Sequence, residues 1–332
     1  MSKPAVLPAL RRAVHDTTVT LREVGLREGL QSTTAVLPTA DKVELFRGLR
    51  AAGLDVLNPV AFVHPGRMPQ MADAEEFLRA LGPLRDGAVL SGLTLNDAGL
   101  DRALVMRGEG LLDGILTVFS HHGAGMAANG ITADSDRLID EIGGRAARAA
   151  AAELAVTVFL SGTFGTPEGT PHDPDRVLAA AGRIATLPGV TELLVSDSTG
   201  LADPLRLLEL LAALHDQLPD DRPRIGVHLH DTRGAGLANA LAALASPFEE
   251  LTLDAAFGGW GGDYPFVAES FGNVATEDLA EMLVGLGVPL AVDVDAVVEV
   301  TRRYTALSGR IAGSRLPSAS TIAWKRGAGM PR

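Results

Sequence analysis

Short apolar segments alternate with helix-forming segments along almost the whole chain, and this alternation constrains the fold more than any other feature. Eight segments resemble β-strands: TTVTLREVG (17–25), LDVLNPVAFV (54–63), AVLSGLTL (88–95), DGILTVFS (113–120), LAVTVFLSG (154–162), TELLVSDS (191–198), RIGVHLHD (224–231) and ELTLDAAFGG (250–259). Predicted helices lie at about 39–52, 73–82, 97–107, 132–152, 174–186, 203–216, 233–246 and 276–286. Apolar strands that alternate with helices are typical of a parallel sheet buried on both faces. Eight such units predict an α/β protein, a closed (β/α)8 TIM barrel.

The alternative fold is a doubly wound open sheet, which would carry a glycine-rich phosphate-binding turn after its first strand. Here the first apolar segment ends in VGLREGLQ, without a GxGxxG pattern. A further predicted helix, at about 291–306, and a loop-like tail follow the eighth unit. No linker divides the 332 residues, so we expect one TIM-barrel domain, with the barrel at about 17–290 and a C-terminal helix and tail at 291–332.

Composition excludes several classes of function. The absence of cysteine rules out disulfides, thiolate zinc sites and thiol nucleophiles, so any metal must be bound through nitrogen and oxygen. A net charge of −12 argues against nucleic acid as a partner. No apolar run approaches the roughly 20 residues of a membrane-spanning helix, and no signal peptide is evident. We therefore expect a cytoplasmic protein that binds a small molecule and no membrane, with a homodimer as the default assembly.

Polar residues are concentrated where the predicted strands end. In a TIM barrel these ends line one mouth, and the active site lies there. The polar residues at or just after the strand ends are Arg27, Glu28, Gln31, Asn58, Asn96, Asp97, His121, His122, Ser161, Thr163, Asp197, Ser198, His228, His230, Asp231, Asp263, Tyr264 and Asn273. Packing alone would bring mostly apolar or turn residues to several of these ends. The pattern therefore indicates an active site at this mouth.

Two histidines one residue apart end the seventh predicted strand. Because side chains alternate along a strand, His228 and His230 point to the same side, about 7 Å apart along the backbone, and can converge on one ion. Glu28 is the natural carboxylate partner, since the first and seventh strands are near neighbours across a closed barrel. Two imidazoles, one carboxylate and an amide oxygen suit Mg²⁺ or Mn²⁺, and ligand type alone leaves Zn²⁺ or Fe²⁺ open.

Five motifs together resemble a known family. The motifs EVGLREGLQ (23–31), FVHPGRMPQMAD (62–73), SDSTGLADP (196–204), VHLHDTRGAGLANALAAL (227–244) and FGNVATEDLAEML (271–283) are similar, in order and spacing, to the hydroxymethylglutaryl-CoA lyase branch of the DRE-TIM metallolyases. The resemblance covers nearly the whole chain. It implies a TIM barrel with a divalent cation at its mouth and a substrate that could be a CoA thioester.

The resemblance also implies roles for individual residues. The metal ligands would be Glu28, His228, His230 and Asn273, while Arg27 would stabilise an enolate or carbonyl oxygen and Asp197 matches an active-site aspartate. Cleavage of a carbon–carbon bond beside a tertiary alcohol requires deprotonation of the hydroxyl and stabilisation of the carbanion that is left. A divalent cation beside the hydroxyl lowers the pKa of the alcohol, an arginine offsets enolate charge, and a general acid protonates the enolate.

Three departures from the family pattern lie at positions that contact substrate. The family's catalytic cysteine is replaced by Tyr264, the glutamate of the second strand by Asn58, and the segment after the fourth strand by FSHHGAGMAANG (119–130). We expect the proton to be moved by Tyr264, Asp263, His121 or His122, with Tyr264 and His121 as the main candidates. Packing or solvation is the alternative role for each of these residues. The expected substrate-binding residues are Gln31, Asn58, Ser161 and Thr163.

Three functions follow from these features. The first is a metal-dependent carbon–carbon lyase or aldolase that acts on a 3-hydroxy acyl-CoA or a related hydroxy carboxylate. The second is a Claisen-type acyltransferase similar to isopropylmalate and homocitrate synthases, although those enzymes usually carry additional C-terminal regions. The third is a non-catalytic, ligand-binding descendant of the barrel, which the complete set of metal ligands argues against.

Overall fold

Eight parallel strands close into a barrel in sequence order. The structure, a computed structural model, describes residues 14–121, 134–166, 168–262 and 272–316. The strands are β1 (Thr18–Glu23), β2 (Val56–Ala61), β3 (Val89–Leu93), β4 (Gly114–Ser120), β5 (Ala155–Ser161), β6 (Val190–Asp197), β7 (Arg224–Leu229) and β8 (Glu250–Ala255). Each strand pairs with the next, and β8 pairs with β1. The predicted TIM barrel is confirmed.

The helices surround this barrel and nearly coincide with the predicted ones. They are α1 (Thr39–Ala51), α2 (Ala74–Leu81), α3 (Asp97–Gly108), α4 (Ser135–Ala151), α5 (Pro174–Ala185), α6 (Pro204–Gln217), α7 (Gly236–Leu244), α8 (Thr276–Leu286) and α9 (Val294–Ser308). Aspartate side chains accept hydrogen bonds from the first-turn N–H groups of α4, α5, α6 and α9, which fixes where these helices begin. No helix in the described ranges has the length and apolar character needed to cross a membrane.

The register of the strands places polar side chains inside the barrel. Arg22 on β1 is the partner of Asp254 on β8, and Asp254 is the partner of His228 on β7. His228 is in turn the partner of Ser196 on β6. Partners in neighbouring parallel strands project to the same side of the sheet, so these four side chains share the interior. The interior below the mouth therefore holds charged groups as well as the usual apolar side chains.

Two buried glutamates hold the loop that follows β8. One carboxylate oxygen of Glu23 accepts the N–H groups of Gly25 and Phe257, and the other accepts the hydroxyl of Thr276. Glu277 accepts the N–H of Gly258. Burial raises the pKa of Glu23 to about 8. The buried carboxylates of Glu23 and Glu277 therefore connect the end of β1 and the start of α8 to the loop after β8.

The segment after α9 returns to the same loop. Gly313 donates its N–H to the carbonyl of Gly258, and the indole Nε1 of Trp260 donates to the carbonyl of Ile311. The carboxylate of Asp278 accepts the N–H groups of Arg315 and Leu316. These bonds fix the start of the predicted C-terminal tail against the β8 side of the mouth.

Candidate metal centre and active site

A short π-helical turn follows β1 and carries two of the predicted site residues. It spans Gly25–Gly29, and all of its residues are buried. Single π-helical turns frequently occur at functional sites. Here the turn places Arg27 and Glu28 side by side at the mouth of the barrel, where the guanidinium Nη2 of Arg27 lies 3.1 Å from Oε2 of Glu28.

Three ligand atoms converge beside this turn. The Nε2 atoms of His228 and His230 lie 3.1 Å apart. Oε1 of Glu28 lies 3.4 Å from Nε2 of His228 and 3.7 Å from Nε2 of His230. Ligands at about 2.1 Å from one octahedral ion, on perpendicular bonds, are separated by about 3.0 Å. Of the His, Cys, Asp and Glu side chains that the structure describes, only these three form a group able to hold a metal ion.

The chemistry of these three side chains fits a divalent cation. Two imidazole nitrogens 3.1 Å apart repel each other unless a proton or a cation lies between them. Oε2 of Glu28 is buried and, although Nη2 of Arg27 lies 3.1 Å away, it makes no well-aligned hydrogen bond to a described residue. Burial opposes the charge of Glu28, yet the charges of His228 and Arg27 hold the pKa of this carboxyl well below its usual range. An anionic oxygen and two imidazoles are a suitable donor set for such a cation.

Asn273 lies next to His230 through the backbone. The two residues form an isolated antiparallel bridge. The side-chain Nδ2 of Asn273 donates to the carbonyl of Trp260 across 3.0 Å. The amide oxygen is therefore the atom of this side chain that is left to act as a ligand. Gly261 lies between Asn273 and Glu28, with no room for a side chain. A Cβ atom at this position would lie 2.1 Å from Nδ2 of Asn273 and 3.0 Å from Cγ of Glu28.

The guanidinium of Arg27 is held by an uncharged partner. Its Nε donates to Oδ1 of Asn58 across 2.9 Å, and Nδ2 of Asn58 donates to the hydroxyl of Ser91 across 3.1 Å. Both Arg27 and Asn58 are buried. The Nη2 atom of Arg27 makes no hydrogen bond to any described residue. Asn58 thus orients Arg27 without neutralising its positive charge.

Other predicted site residues bond to their own loops. The carboxylate of Asp197 accepts the N–H groups of Leu201 and Ala202, and burial raises its pKa. The hydroxyl of Thr163 donates to the carbonyl of Leu160. The hydroxyl of Ser161 lies 3.1 Å from that of Ser198, which lies 2.9 Å from that of Ser196. These side chains lie at the mouth, and their bonds shape the loops after β5 and β6.

His121 lies at the end of β4 in a separate aromatic group. Its ring is 5.0 Å from that of Phe119 and 5.7 Å from that of His172. Burial, and then the neighbouring His172, lower the pKa of His121 to about 4. A ring that stays neutral at pH 7 is suited to hydrogen bonding more than to proton donation.

Gln31 is half-buried, and its Oε1 lacks a partner in the described part of the chain. Tyr264, Asp263 and His122 lie outside the described residues.

Three charged residues buried below the mouth were not predicted from the sequence. Arg22, Glu192 and Asp254 lie within strands, below the mouth. The available signal was a charged residue in each of three apolar segments that a barrel buries on both faces, since a buried charge must be paired. Nothing in those segments showed which partners would meet.

A cavity of about 510 Å³ adjoins the Asn273 side of the mouth. It lies between the loop after β7, which includes Asp231 and Thr232, and the segment that follows α9, which includes Ala312 and Arg315. Asn273, Val274 and Ala275 also line it. The mouth of the barrel is therefore bordered by open volume on the side of the last two strands.

Comparisons with known proteins give consistent results. Residues 18–303 match the family model described as HMGL-like. Over 299 residues the chain is 33% identical to (R)-citramalyl-CoA lyase of Chloroflexus aurantiacus, covering 88% of this chain and 92% of that protein. It is also 33% identical to the hydroxymethylglutaryl-CoA lyase of Pseudomonas mevalonii over 293 residues, 88% of this chain and 93% of that one.

Solved structures show the same likeness. The hydroxymethylglutaryl-CoA lyase of Pseudomonas aeruginosa superposes with a TM-score of 0.83 at 29% identity, covering 92% of this chain and 98% of that one. A lyase of the same type from Acinetobacter baumannii, in complex with coenzyme A and 3-methylmalate, gives a TM-score of 0.80 at 27% identity, covering 96% and 98%.

Proposed function

This chain belongs to the HMGL-like family and is a carbon–carbon lyase, and from that premise we propose that it cleaves a 3-hydroxy acyl-CoA thioester at the mouth of its barrel. The observation that carries the proposal is the convergence of Glu28, His228 and His230, whose ligand atoms lie 3.1 to 3.7 Å apart. A cluster of this kind at the C-terminal ends of barrel strands is a usual place for catalysis.

The divalent cation is assigned to four side chains. Glu28, His228 and His230 supply one carboxylate oxygen and two imidazole nitrogens. Asn273 supplies an amide oxygen as the fourth ligand, because its backbone pairs with that of His230. Such a mixed set suits Mg²⁺ or Mn²⁺, with Zn²⁺ as the alternative. When bound, the cation supplies Lewis acidity that lowers the pKa of the substrate hydroxyl and orients it.

Arg27 is assigned to the charge that develops during cleavage. Transfer of the hydroxyl proton to the carboxylate of Asp197 turns C3 of the substrate into a ketone, breaks the C2–C3 bond and leaves the electron pair of that bond on the thioester fragment as an enolate. The Nη2 atom of Arg27, which lies 3.1 Å from Oε2 of Glu28 and makes no hydrogen bond to a described residue, is assigned to donate to that enolate oxygen. A buried donor aimed at developing charge is worth more than one in water. Asp197, the last residue of β6, is the proposed acceptor of the hydroxyl proton, because burial raises the pKa of its carboxyl.

The enolate must then gain a proton. Tyr264 and His121 remain the proposed donors. The lowered pKa of His121 makes it uncharged at neutral pH, so it suits a hydrogen bond to substrate, which leaves Tyr264 as the main candidate for the acid. Gln31, Asn58, Ser161 and Thr163 are assigned to substrate binding, Asn58 through its bond to Arg27.

Two substrates test the proposal. Hydroxymethylglutaryl-CoA and citramalyl-CoA both carry a methyl and a hydroxyl group on C3, and they differ by one methylene in the arm that bears the carboxylate. The purified protein is incubated with Mg²⁺ or Mn²⁺ and each thioester, and acetyl-CoA is followed together with acetoacetate or pyruvate. The double variant His228→Ala, His230→Ala is the control.

Cleavage of either thioester that is lost in the double variant supports the proposal, and the preferred substrate then identifies the length of the acid arm. Cleavage that persists in the double variant would sink the assignment of these histidines. Stoichiometric metal without cleavage of either thioester would show that the site acts on a different hydroxy acid.

A further inference from the structure

The ring of His228 is held from the side opposite to the candidate metal centre. Its Nδ1 lies 3.1 Å from Oδ2 of Asp254, and neither side chain is exposed. The other ring nitrogen, Nε2, is the one that faces Glu28 and His230. The ring of Phe159 packs edge-on against the same imidazole, with centroids 4.8 Å apart. The imidazole thus has polar partners at both ring nitrogens and little freedom to turn.

Asp254 belongs to a chain of charges inside the barrel. Its Oδ1 accepts a hydrogen bond from Nε of Arg22 across 2.7 Å, and Nη1 of Arg22 donates to Oε2 of Glu192 across 2.6 Å. The hydroxyls of Thr157 and Thr252 donate to the two oxygens of Glu192. All five residues are buried. An isolated carboxylate at this depth would be costly, and Arg22 is the group that keeps Asp254 charged without solvent.

We propose that Asp254, paired with Arg22, is a positioning residue that locks His228 in the tautomer with its proton on Nδ1. This inference rests on the proposed metal site. A cation binds only a nitrogen that carries no proton, so a proton held on Nδ1 by Asp254 makes Nε2 the nitrogen that offers its lone pair to the cation. The same bond fixes the plane of the ring and makes the imidazole a stronger donor. Arg22 acts one step further away, by holding the carboxylate of Asp254 in place.

The first test is the affinity of the full-length protein for Mn²⁺. In Asp254→Asn the amide can donate to Nδ1, which moves the proton to Nε2 and blocks the ligand atom. Loss of such an outer partner weakens metal binding about 10- to 100-fold, and we expect that range for Mn²⁺ measured by electron paramagnetic resonance of the free ion. Asp113→Asn is the matched control, because Asp113 also pairs with an arginine, Arg85, but precedes β4 at the opposite end of the barrel.

A second readout reports the proton itself. Long-range ¹H–¹⁵N spectra of histidine-labelled, Mg²⁺-loaded protein distinguish Nδ1–H from Nε2–H. We expect a single Nδ1–H form for His228, which disappears or is mixed in Asp254→Asn. Arg22→Lys provides a milder change, since one ammonium keeps the charge but replaces the two directed bonds. It should weaken Mn²⁺ binding less than Asp254→Asn does.

The outcomes separate this inference from the proposed function. If wild-type protein and the control bind Mn²⁺ and Asp254→Asn binds equally well with only a lower melting temperature, the network is merely structural and the inference is overturned. If Asp254→Asn does not fold, Arg22→Lys decides by the same measurement. If wild-type protein binds no Mn²⁺, Mg²⁺ or Zn²⁺, the proposed metal site itself fails.

Discussion

Arg27 donates its Nε proton to Oδ1 of Asn58 across 2.9 Å, and this bond sets the direction of a buried guanidinium beside Glu28. A carboxylate at position 58 would also orient Arg27, but it would cancel the charge that the enolate needs. An amide gives the orientation alone. Asn58 therefore positions the guanidinium of Arg27 and adds no negative charge beside it.

Asn58→Ala should lower kcat/KM about 10- to 100-fold, because an arginine without its orienting acceptor is displaced from the enolate oxygen. Steady-state kinetics on the preferred thioester measure this effect. Ser91→Ala is the control, since it removes the acceptor of the Asn58 amide but leaves the bond to Arg27 intact. An equal loss in both variants would show that the strand and not the arginine is affected.

Gly261→Ala should impair metal binding more than it impairs stability. A Cβ atom at position 261 would overlap Nδ2 of Asn273 and press on Glu28, two proposed ligands. Gly234→Ala is the matched control: Gly234 also has a positive φ, but no described atom lies within 4 Å of its Cβ position. Each substitution costs about 1–2 kcal/mol of backbone strain. Titration with Mn²⁺ should show weakened affinity in Gly261→Ala only.

Added Mn²⁺ should stabilise the folded protein by linkage. At a concentration 100 times the Kd, one ion that binds only the folded state contributes about 2.7 kcal/mol to the free energy of unfolding. Thermal melts with and without Mn²⁺ measure the shift in Tm, and a chelator should reverse it. The variant His228→Gln, His230→Gln should show no shift, and a shift that survives there would place the ion elsewhere.

Glu23→Gln should change how stability depends on pH. Burial raises the pKa of Glu23 to about 8, so the folded protein holds a proton that the unfolded chain has already lost above its ordinary pKa of 4.5. The free energy of unfolding therefore falls as pH rises from about 4.5 to about 8, by at most about 1.4 kcal/mol per pH unit for this group, and levels off above that.

Glutamine is neutral in both states and keeps an acceptor for Gly25 and Phe257. The Tm of Glu23→Gln should therefore rise relative to that of wild-type protein as the pH increases from 5 to 8. Glu76→Gln, a change of an exposed glutamate on α2, should follow the wild-type curve. Parallel curves for Glu23→Gln and wild-type protein would show that Glu23 is ionised in the fold.

The barrel and the grouping of His228 with His230 could be predicted from the sequence because both depend on local patterns. Alternation of strand and helix defines the fold, and one intervening residue puts His228 and His230 on one side of a strand. The charge network below them was not accessible. Whether Arg22 meets Asp254, Glu192 or neither depends on the stagger of strands far apart in the chain, which no local pattern records.

The partners of polar residues at the strand ends could not be predicted from the sequence either. Asp197 and Thr163 lie at the mouth as expected, yet they use their polar atoms on neighbouring backbone groups. A hydroxyl or carboxylate at a strand end has the same appearance in the sequence whether it faces substrate or closes a turn. Asn58 is the opposite case. It is an amide within an apolar strand, and its bond to Arg27 gives it a defined position in the site.

The pairing of Arg22 with Asp254 joins residues 232 positions apart in the chain. Glu28 leaves the ribosome long before His228, His230 and Asn273 have been made, so the proposed metal site cannot form until the last two units have been synthesised and docked. Binding of a metal ion at this site would therefore show that the barrel has closed. A chain truncated before those units would lack three of the four proposed ligands and should bind no ion at this site.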